Sequence, residues 1–273
     1  MLFRSLDPYL TFAQQIPFNR ELLRRANAIP GVELAAMTSN LPTTGATNSD
    51  SIGRTSSNSL AIEDRPVESS GDLRAEIIRI SPDYFLVIQT PLVAGRFFTD
   101  GDENGKLPVV IIDEATARRY WWPDHDPLCR RLRIRLRFGQ EPTNQWSTVV
   151  GVVKNIKHDG LDVDGVPHLY VPLNQFLGRS LSLAVRTSLP ASTLEAQIRG
   201  AIQSVDPGLP VFTVTSVDEV LDASLASRWA TCGRSRELTN RVEGKPFQAV
   251  TVDVDSLEEI AEELANARKR SQK

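Results

Sequence analysis

The sequence predicts an α+β fold, and three observations carry the prediction. Short apolar runs bounded by breakers fill the middle of the chain, and some alternate apolar and polar residues with period two. Segments before and after this middle carry apolar stripes at helical spacing. The 273-residue chain is 41% hydrophobic and 24% charged, as expected of a packed globular protein, and its 17 prolines and 16 glycines indicate many short elements.

The first predicted unit is a helix followed by a strand. Apolar residues at helical spacing run from Ile16 to Ile29, and Pro30-Gly31 cannot continue a helix. The segment VELAAMTSNLP that follows is typical of a strand. From Thr43 to Asn58 the chain is rich in Thr, Ser, Asn, Gly and Asp, which predicts a long loop at a boundary.

The middle of the chain predicts strands joined by short helices. The strand candidates are AEIIRIS, LPVVIID, RRLRIRLRF, STVVGVV, HLYVPL and LSLAVRT. In RRLRIRLRF the apolar residues from Leu132 to Phe138 alternate with arginines, so we expect one buried and one solvated face. SPDYFLVI and DEATARRYWW are short helix candidates, with Ser81 and Asp113 as the N-caps.

The last third predicts strand, helix and strand. Ser192 and Glu195 form a capping box ahead of an apolar helical face that includes Leu194 and Ile198, and the Asp-Pro-Gly sequence at 206–208 ends the helix. VFTVT then reads as a strand, which gives a split β-α-β order. We expect these strands to share one sheet with the N-terminal strand.

The end of the chain changes character after Trp229. Ser216 with Glu219 forms a second capping box, a polar stretch follows Trp229, and FQAVTVDVD is typical of a strand. SLEEIAEELANARKR predicts a final amphipathic helix, whose stripe spans only two heptads and so favours docking on the same chain.

Composition excludes several classes of function. The net charge of −3 and the pI of about 5.7 provide no general attraction for nucleic acid or anionic lipid. The sequence contains no apolar stretch of the 18 residues that a transmembrane helix needs, and its start lacks the pattern of a signal peptide. Cys129 and Cys232 form neither a disulfide framework nor a metal motif.

The histidines are the first candidates for chemistry. Asp124, His125 and Asp126 are adjacent, so on a regular element they point in divergent directions, and a polar turn before Pro127 is the favoured interpretation. His158 lies in a predicted turn and His168 precedes a strand. A three-histidine metal site would require all the histidines of the chain to converge.

Other motifs also favour structural roles. Ser147 and Ser180 lack the G-x-S-x-G frame of a nucleophile elbow, and we expect Cys129 to be a half-buried thiol. The glycines at 95, 101 and 105 do not form a phosphate-binding loop. Trp121 and Trp122 are expected to close a helix onto a sheet, with an interface role as the alternative. The sequence therefore predicts no catalytic, cofactor-binding or metal-binding residue.

The order of segments resembles a known family. ISPDYFLVIQTPLVAGRFFTDGD, PVVIIDEATARRYWWPDHDPLCRRLRI, STVVGVVKNIKHDGLD, PHLYVPLNQ, LSLAVRTS and DPGLPVFTVTSVDEVLDASLASRW together resemble the MacB-like periplasmic core domain of FtsX-related ABC transporter permeases. The resemblance runs from Thr11 to Trp229. It implies a porter-like split α/β subdomain (11–48 and 179–229), an inserted strand-rich small subdomain (49–178) and an appended tail (230–273).

The same resemblance implies a function. It predicts a non-catalytic extracytoplasmic core domain, active in export or mechanotransmission on the periplasmic side of the inner membrane. Its expected partners are an ABC-type ATPase and permease transmembrane segments, or a periplasmic adaptor protein, with no cofactor. Where relatives carry a membrane helix after this domain, ATCGRSRELTNRV follows SLASRW, so we expect a domain truncated from its transmembrane helices.

Two other functions stay open from the residues alone. One is a soluble α+β enzyme that uses His125, His158 or His168 with neighbouring carboxylates, and convergence of those side chains in one concave pocket would favour it. The other is a stand-alone periplasmic binding module with its cargo in the cleft between the two subdomains, which an apolar cleft with a few converging polar groups would favour.

Overall fold

Strands dominate the structure. The computed structural model describes residues 11–42, 58–63, 73–134, 145–156, 167–176, 181–206, 213–216 and 247–252. Within them the helices are α1 (Phe12–Asn27), α2 (Tyr84–Val87), α3 (Glu114–Tyr120) and α4 (Ala191–Val205). The strands are β1 (Val32–Thr38), β2 (Asn58–Ile62), β3 (Arg74–Ile80), β4 (Leu92–Gly95), β5 (Val109–Asp113), β6 (Arg131–Ile134), β7 (Trp146–Val153), β8 (His168–Pro172), β9 (Leu181–Thr187), β10 (Thr213–Ser216) and β11 (Phe247–Val252). The predicted α+β class is confirmed.

Six strands close into a barrel. β3 pairs with β2, β2 with β6, β6 with β7, β7 with β5, β5 with β8, and β8 returns to β3. All six strands send buried side chains into one apolar cluster, which α3 joins through Ala117, Tyr120 and Trp121. The predicted alternation is confirmed for the first residues of the run, because Leu132 and Ile134 are buried in this cluster and Arg133 between them is half-buried; the rest of the run, to Phe138, lies outside the described residues.

A second group of strands carries the longer helices. β1 pairs with β9, β11 pairs with β9 and β10, and all three pairings are antiparallel. β9 and β10 therefore run parallel with β11 between them, and β1 lies in the same sheet as β9, as expected. α1 and α4 pack through Leu22, Ala26, Leu194, Ile198 and Ile202 on an apolar cluster that includes residues of β1 and β9. The division into subdomains, including a separate tail, stays a prediction.

β3 joins the two groups of strands. Its first residues pair with β2, and its last residue, Ile80, pairs with Thr38 of β1. A third apolar cluster spans the junction, since it holds Phe85 of α2 together with Tyr170 of the barrel and Ala184 of β9. The barrel and the helix-covered sheet are thus one hydrogen-bonded structure. In the described segments no helix is both long enough and apolar enough to cross a membrane.

The predicted cap of α2 is wrong. The N-cap position belongs to Asp83, which makes no side-chain capping bond, and Ser81 lies two residues earlier. The Ser81 hydroxyl instead accepts a hydrogen bond from the Met37 amide at 2.9 Å, while the Ser81 amide donates to the Met37 carbonyl at 2.8 Å. A buried amide of β1 needs this acceptor, and that requirement outweighs local capping.

The predicted capping box of α4 is also wrong. The helix begins at Ala191 with Pro190 at the N-cap, so Ser192 already lies inside the first turn. The N-cap of α3 is as predicted, because Oδ1 of Asp113 accepts a hydrogen bond from the Thr116 amide at 2.7 Å.

Candidate functional site

Three barrel strands bring one histidine and two carboxylates together. β8 lies between β3 and β5, and the register pairs Glu76 with His168. The antiparallel register of β5 and β8 pairs Ile111 with Tyr170, and its continuation sets Asp113 opposite His168. We call Glu76, Asp113 and His168 the histidine cluster.

The distances within the histidine cluster define its bonding. Nδ1 of His168 lies 3.2 Å from Oδ2 of Asp113, and Nε2 lies 3.6 Å from Oε2 of Glu76. The Thr116 hydroxyl of α3 donates to the His168 carbonyl at 3.0 Å, and the Thr116 amide binds the other oxygen of Asp113. The cluster therefore also fixes the start of α3 against the barrel.

Electrostatics keep His168 charged. Burial by itself lowers the pKa of His168, but hydrogen bonding and attraction to Asp113 and Glu76 outweigh burial and raise the pKa to about 9. At neutral pH the ring is an imidazolium between two carboxylates. The side chains of His168, Asp113 and Glu76 are 4%, 1% and 18% exposed, so solvent reaches the group mainly from the Glu76 side.

This arrangement supports structure better than catalysis. A general base must be unprotonated and within reach of a substrate, whereas His168 is charged, faces carboxylates through both nitrogens and is almost fully buried. Across the part of the chain that the structure describes, no group of three or more His, Cys, Asp or Glu side chains is placed to hold a metal ion. The cluster instead binds β3, β5 and β8 to one another.

The sequence alone does not reveal the histidine cluster. It offers His168 as a metal ligand or as an enzyme's histidine beside unspecified carboxylates, and Asp113 as a helix cap, but these two residues are 55 positions apart and Glu76 lies on a third strand. The one available signal was that each residue sits at the end or in the middle of an apolar strand, where an ionisable side chain needs a partner.

The Asp124-His125-Asp126 triplet lies in an exposed turn after α3, which confirms the favoured interpretation. The His125 amide donates to the Trp121 carbonyl at 3.0 Å, and Oδ1 of Asp126 accepts from the Leu128 amide at 2.9 Å. His125 is thus exposed while His168 is buried in the barrel. His158 lies outside the described residues.

The remaining candidates are also placed. Cys129 is exposed, so the expectation of a half-buried thiol is wrong. The residue lies in a tight turn at the surface, where its φ of 61° is left-handed and its amide donates a hydrogen bond to the Val149 carbonyl. Ser147 is buried on β7, while Ser180 and Cys232 lie outside the described residues. Trp121 is buried and Trp122 packs against the barrel cluster, as predicted.

Two cavities lined by described residues are small. One, of about 40 Å³, lies near Ser147 and Gln175, and the other, of about 30 Å³, lies between α1 and the loop after β4. Such volumes hold a few water molecules, whereas small-molecule sites occupy several hundred Å³.

Part of the chain is similar to curated proteins that are named as probable export ATP-binding/permease proteins. It is 29% identical over 159 residues to the probable syringafactin export ATP-binding/permease protein SyfD of Pseudomonas syringae pv. tomato, a match covering 55% of this chain and 22% of that protein. A probable export ATP-binding/permease protein of Pseudomonas fluorescens is 25% identical over 158 residues, covering 55% and 23%. The match thus spans under a quarter of the length of these curated relatives.

Two solved structures are similar at 17% sequence identity. The periplasmic region of MacB from Actinobacillus actinomycetemcomitans has a TM-score of 0.46, covering 68% of this chain and 73% of that one. The extracellular domain of the noncanonic ABC-type transporter YknZ from Gram-positive bacteria has a TM-score of 0.43, covering 68% and 82%. At family level, residues 9–204 match the MacB-like periplasmic core domain. Because that match covers more than half of the chain, the chain belongs to the MacB-like periplasmic core domain family of ABC transporter permeases.

Proposed function

We propose that this domain is a non-catalytic, extracytoplasmic part of an ABC-type exporter and acts through protein contact and the transmission of force. The observation that carries the proposal is the family match over residues 9–204. The curated relatives are named as export ATP-binding/permease proteins, so ATP-driven movement is the source of the force. The expected location is the periplasmic side of the inner membrane.

The fold supports a mechanical role. A closed barrel has no free strand edges within its ring, so each of its six strands is hydrogen-bonded to a neighbour on both sides. β3 is hydrogen-bonded to the barrel through β2 and β8 and to the helix-covered sheet through Ile80. Displacement of one part is transmitted to the other through backbone hydrogen bonds and a shared apolar cluster.

The histidine cluster gives the enzyme alternative no support at His168. An enzyme would need its ionisable groups in contact with substrate, but the side chain of His168 is only 4% exposed and both ring nitrogens face carboxyl groups of the chain itself. The cavities of about 30 and 40 Å³ give the binding-module alternative no specific support.

In-cell photo-crosslinking tests the proposed partners. Leu107 is 69% exposed and Leu86 is 48% exposed, so a photoreactive amino acid at either position leaves the core intact. In the native host we expect adducts with an ABC-type permease, its ATPase or a periplasmic adaptor. The same variants in a host strain without the ABC permease genes are the control. If both positions crosslink only to proteins unrelated to transport, the proposal is wrong.

A further inference from the structure

The buried stripe of α1 is polar in its first half. Gln15, Asn19, Leu22 and Ala26 are the buried residues of this helix. Leu22 and Ala26 pack with α4 in an apolar cluster. Asn19 is 3% exposed, and neither Nδ2 nor Oδ1 of its amide has a hydrogen-bond partner among the described residues. Packing around such a group disfavours the closed arrangement relative to one in which water reaches the amide.

Asn19 lines a small cavity. The cavity of about 30 Å³ separates Asn19, Arg20 and Leu23 of α1 from residues 99, 100, 102 and 172–174. Nδ2 and Oδ1 of Asn19 each expose less than 1 Å², so the amide is out of reach of water in the closed arrangement. Here the first half of the helix faces a mixed surface that includes Asp100 and Asp102 and contacts it incompletely. The second half is anchored by Leu22 and Ala26 in the apolar cluster, against which Phe18 packs only partly buried.

The loop opposite Asn19 is a fixed platform. The Asp102 carboxylate accepts two hydrogen bonds from the Arg96 guanidinium at 2.7 and 2.9 Å and one from the Thr99 amide at 2.8 Å. The Asn104 amide donates to the Asn174 carbonyl at 2.8 Å, which ties the loop to the end of β8. Because these hydrogen bonds hold the loop in place, we expect α1 and not the loop to move at this junction.

One ion pair crosses the junction. Nη2 of Arg20 lies 2.8 Å from Oε2 of Glu103, and the two side chains are 54% and 33% exposed. An ion pair at this exposure contributes little free energy and is weakened by salt. It opposes the effect of the buried Asn19 amide, which lies one residue away on the same helix.

We propose that the first half of α1 and the loop 96–104 form a reversible clasp, which the Arg20–Glu103 ion pair closes and the unpartnered amide of Asn19 loosens. When the clasp opens, water reaches the amide, while the barrel and the second half of α1 stay packed. Pro17 lacks an N–H and interrupts the helical hydrogen bonds, so the released half of α1 frays. This property goes beyond the proposed function, since the isolated chain should display it.

Native-state hydrogen exchange of the full chain tests the clasp. Leu is close to Asn in size and needs no hydrogen bond, so Asn19→Leu should slow exchange of the α1 amides from residue 18 to residue 22 by about tenfold or more. Amides of the barrel strand β8 are the internal control and should not change. Unchanged or faster exchange in α1 of Asn19→Leu would overturn the proposal.

A charge series supplies a second, independent test. Arg20→Glu should accelerate exchange of the same amides by about two- to fivefold, and the swap of Arg20→Glu with Glu103→Arg should restore the original rate. Raising the salt concentration should accelerate exchange in the unmodified chain. Equal rates in all three proteins would contradict the clasp even if Asn19→Leu failed to fold.

Discussion

Because His168 is protonated in the folded chain, the free energy of unfolding should fall as the pH rises into the alkaline range. Its pKa rises from an ordinary 6.5 to about 9 in the folded chain. A pKa that is higher in the folded state stabilises the fold fully below pH 6.5, and that contribution is lost as the pH rises through about 9. The difference between the two values corresponds to about 3 kcal/mol.

Denaturation with urea at a series of pH values from 6 to 10 measures this contribution. Between pH 6.5 and 9 the unmodified chain should lose about 3 kcal/mol of unfolding free energy, or about 6–12 °C in Tm. The matched control is His168→Gln, whose neutral amide cannot titrate. It should be less stable than the unmodified chain at pH 6 by about the same 3 kcal/mol and almost equal to it at pH 10.

The difference in unfolding free energy between these two proteins separates the contribution of His168 from that of other groups that titrate in the same pH range. If their stabilities stay parallel from pH 6 to 10, His168 is not an imidazolium held by Asp113 and Glu76, and the interpretation of the cluster is wrong.

Three further experiments test local features of the structure. Asp113→Asn keeps an acceptor for the amide that begins α3 but removes the charge beside His168, so at pH 6 it should cost less stability than Asp113→Ala by about 1 kcal/mol; equal losses would contradict the cap. Gly95→Ala should destabilise the fold by at least about 1 kcal/mol more than Gly105→Ala, because both glycines have positive φ but only at Gly95 would a Cβ lie 2.2 Å from a carbonyl oxygen; similar thermal midpoints would refute this. In a chain that carries Cys232→Ser, Cys129 should react with a maleimide in the folded state within about tenfold of the rate of a free thiol, and adding Cys129→Ser should remove that reaction; protection until unfolding would show that the thiol is buried.

The sequence predicted the elements that depend on local patterns. The strands around Val109–Asp113 and Leu181–Thr187 follow from short apolar runs, and α4 follows from an apolar face that precedes an Asp-Pro-Gly sequence. The cap at Asp113 was also predictable, because a side chain that accepts a bond from the first helical turn is a local feature.

The sequence did not predict features that depend on distant partners. Ser81 binds β1 instead of capping α2, since the Met37 amide is buried without another acceptor. The histidine cluster exists only because the ring of strands places β8 between β3 and β5. Ring closure and strand order follow from pairings between distant segments, and no local pattern encodes them.

The proposed role in force transmission is tested most directly in the assembled transporter. The chain would be purified from its host together with the transporter component it crosslinks to, and its hydrogen exchange would be compared in the presence of ATP and of ADP. The account predicts that ATP changes exchange in the described part of the chain, and that blocking ATP hydrolysis in the ATPase abolishes cycling between the two patterns. Identical exchange with ATP and ADP in an intact complex would contradict force transmission through this domain.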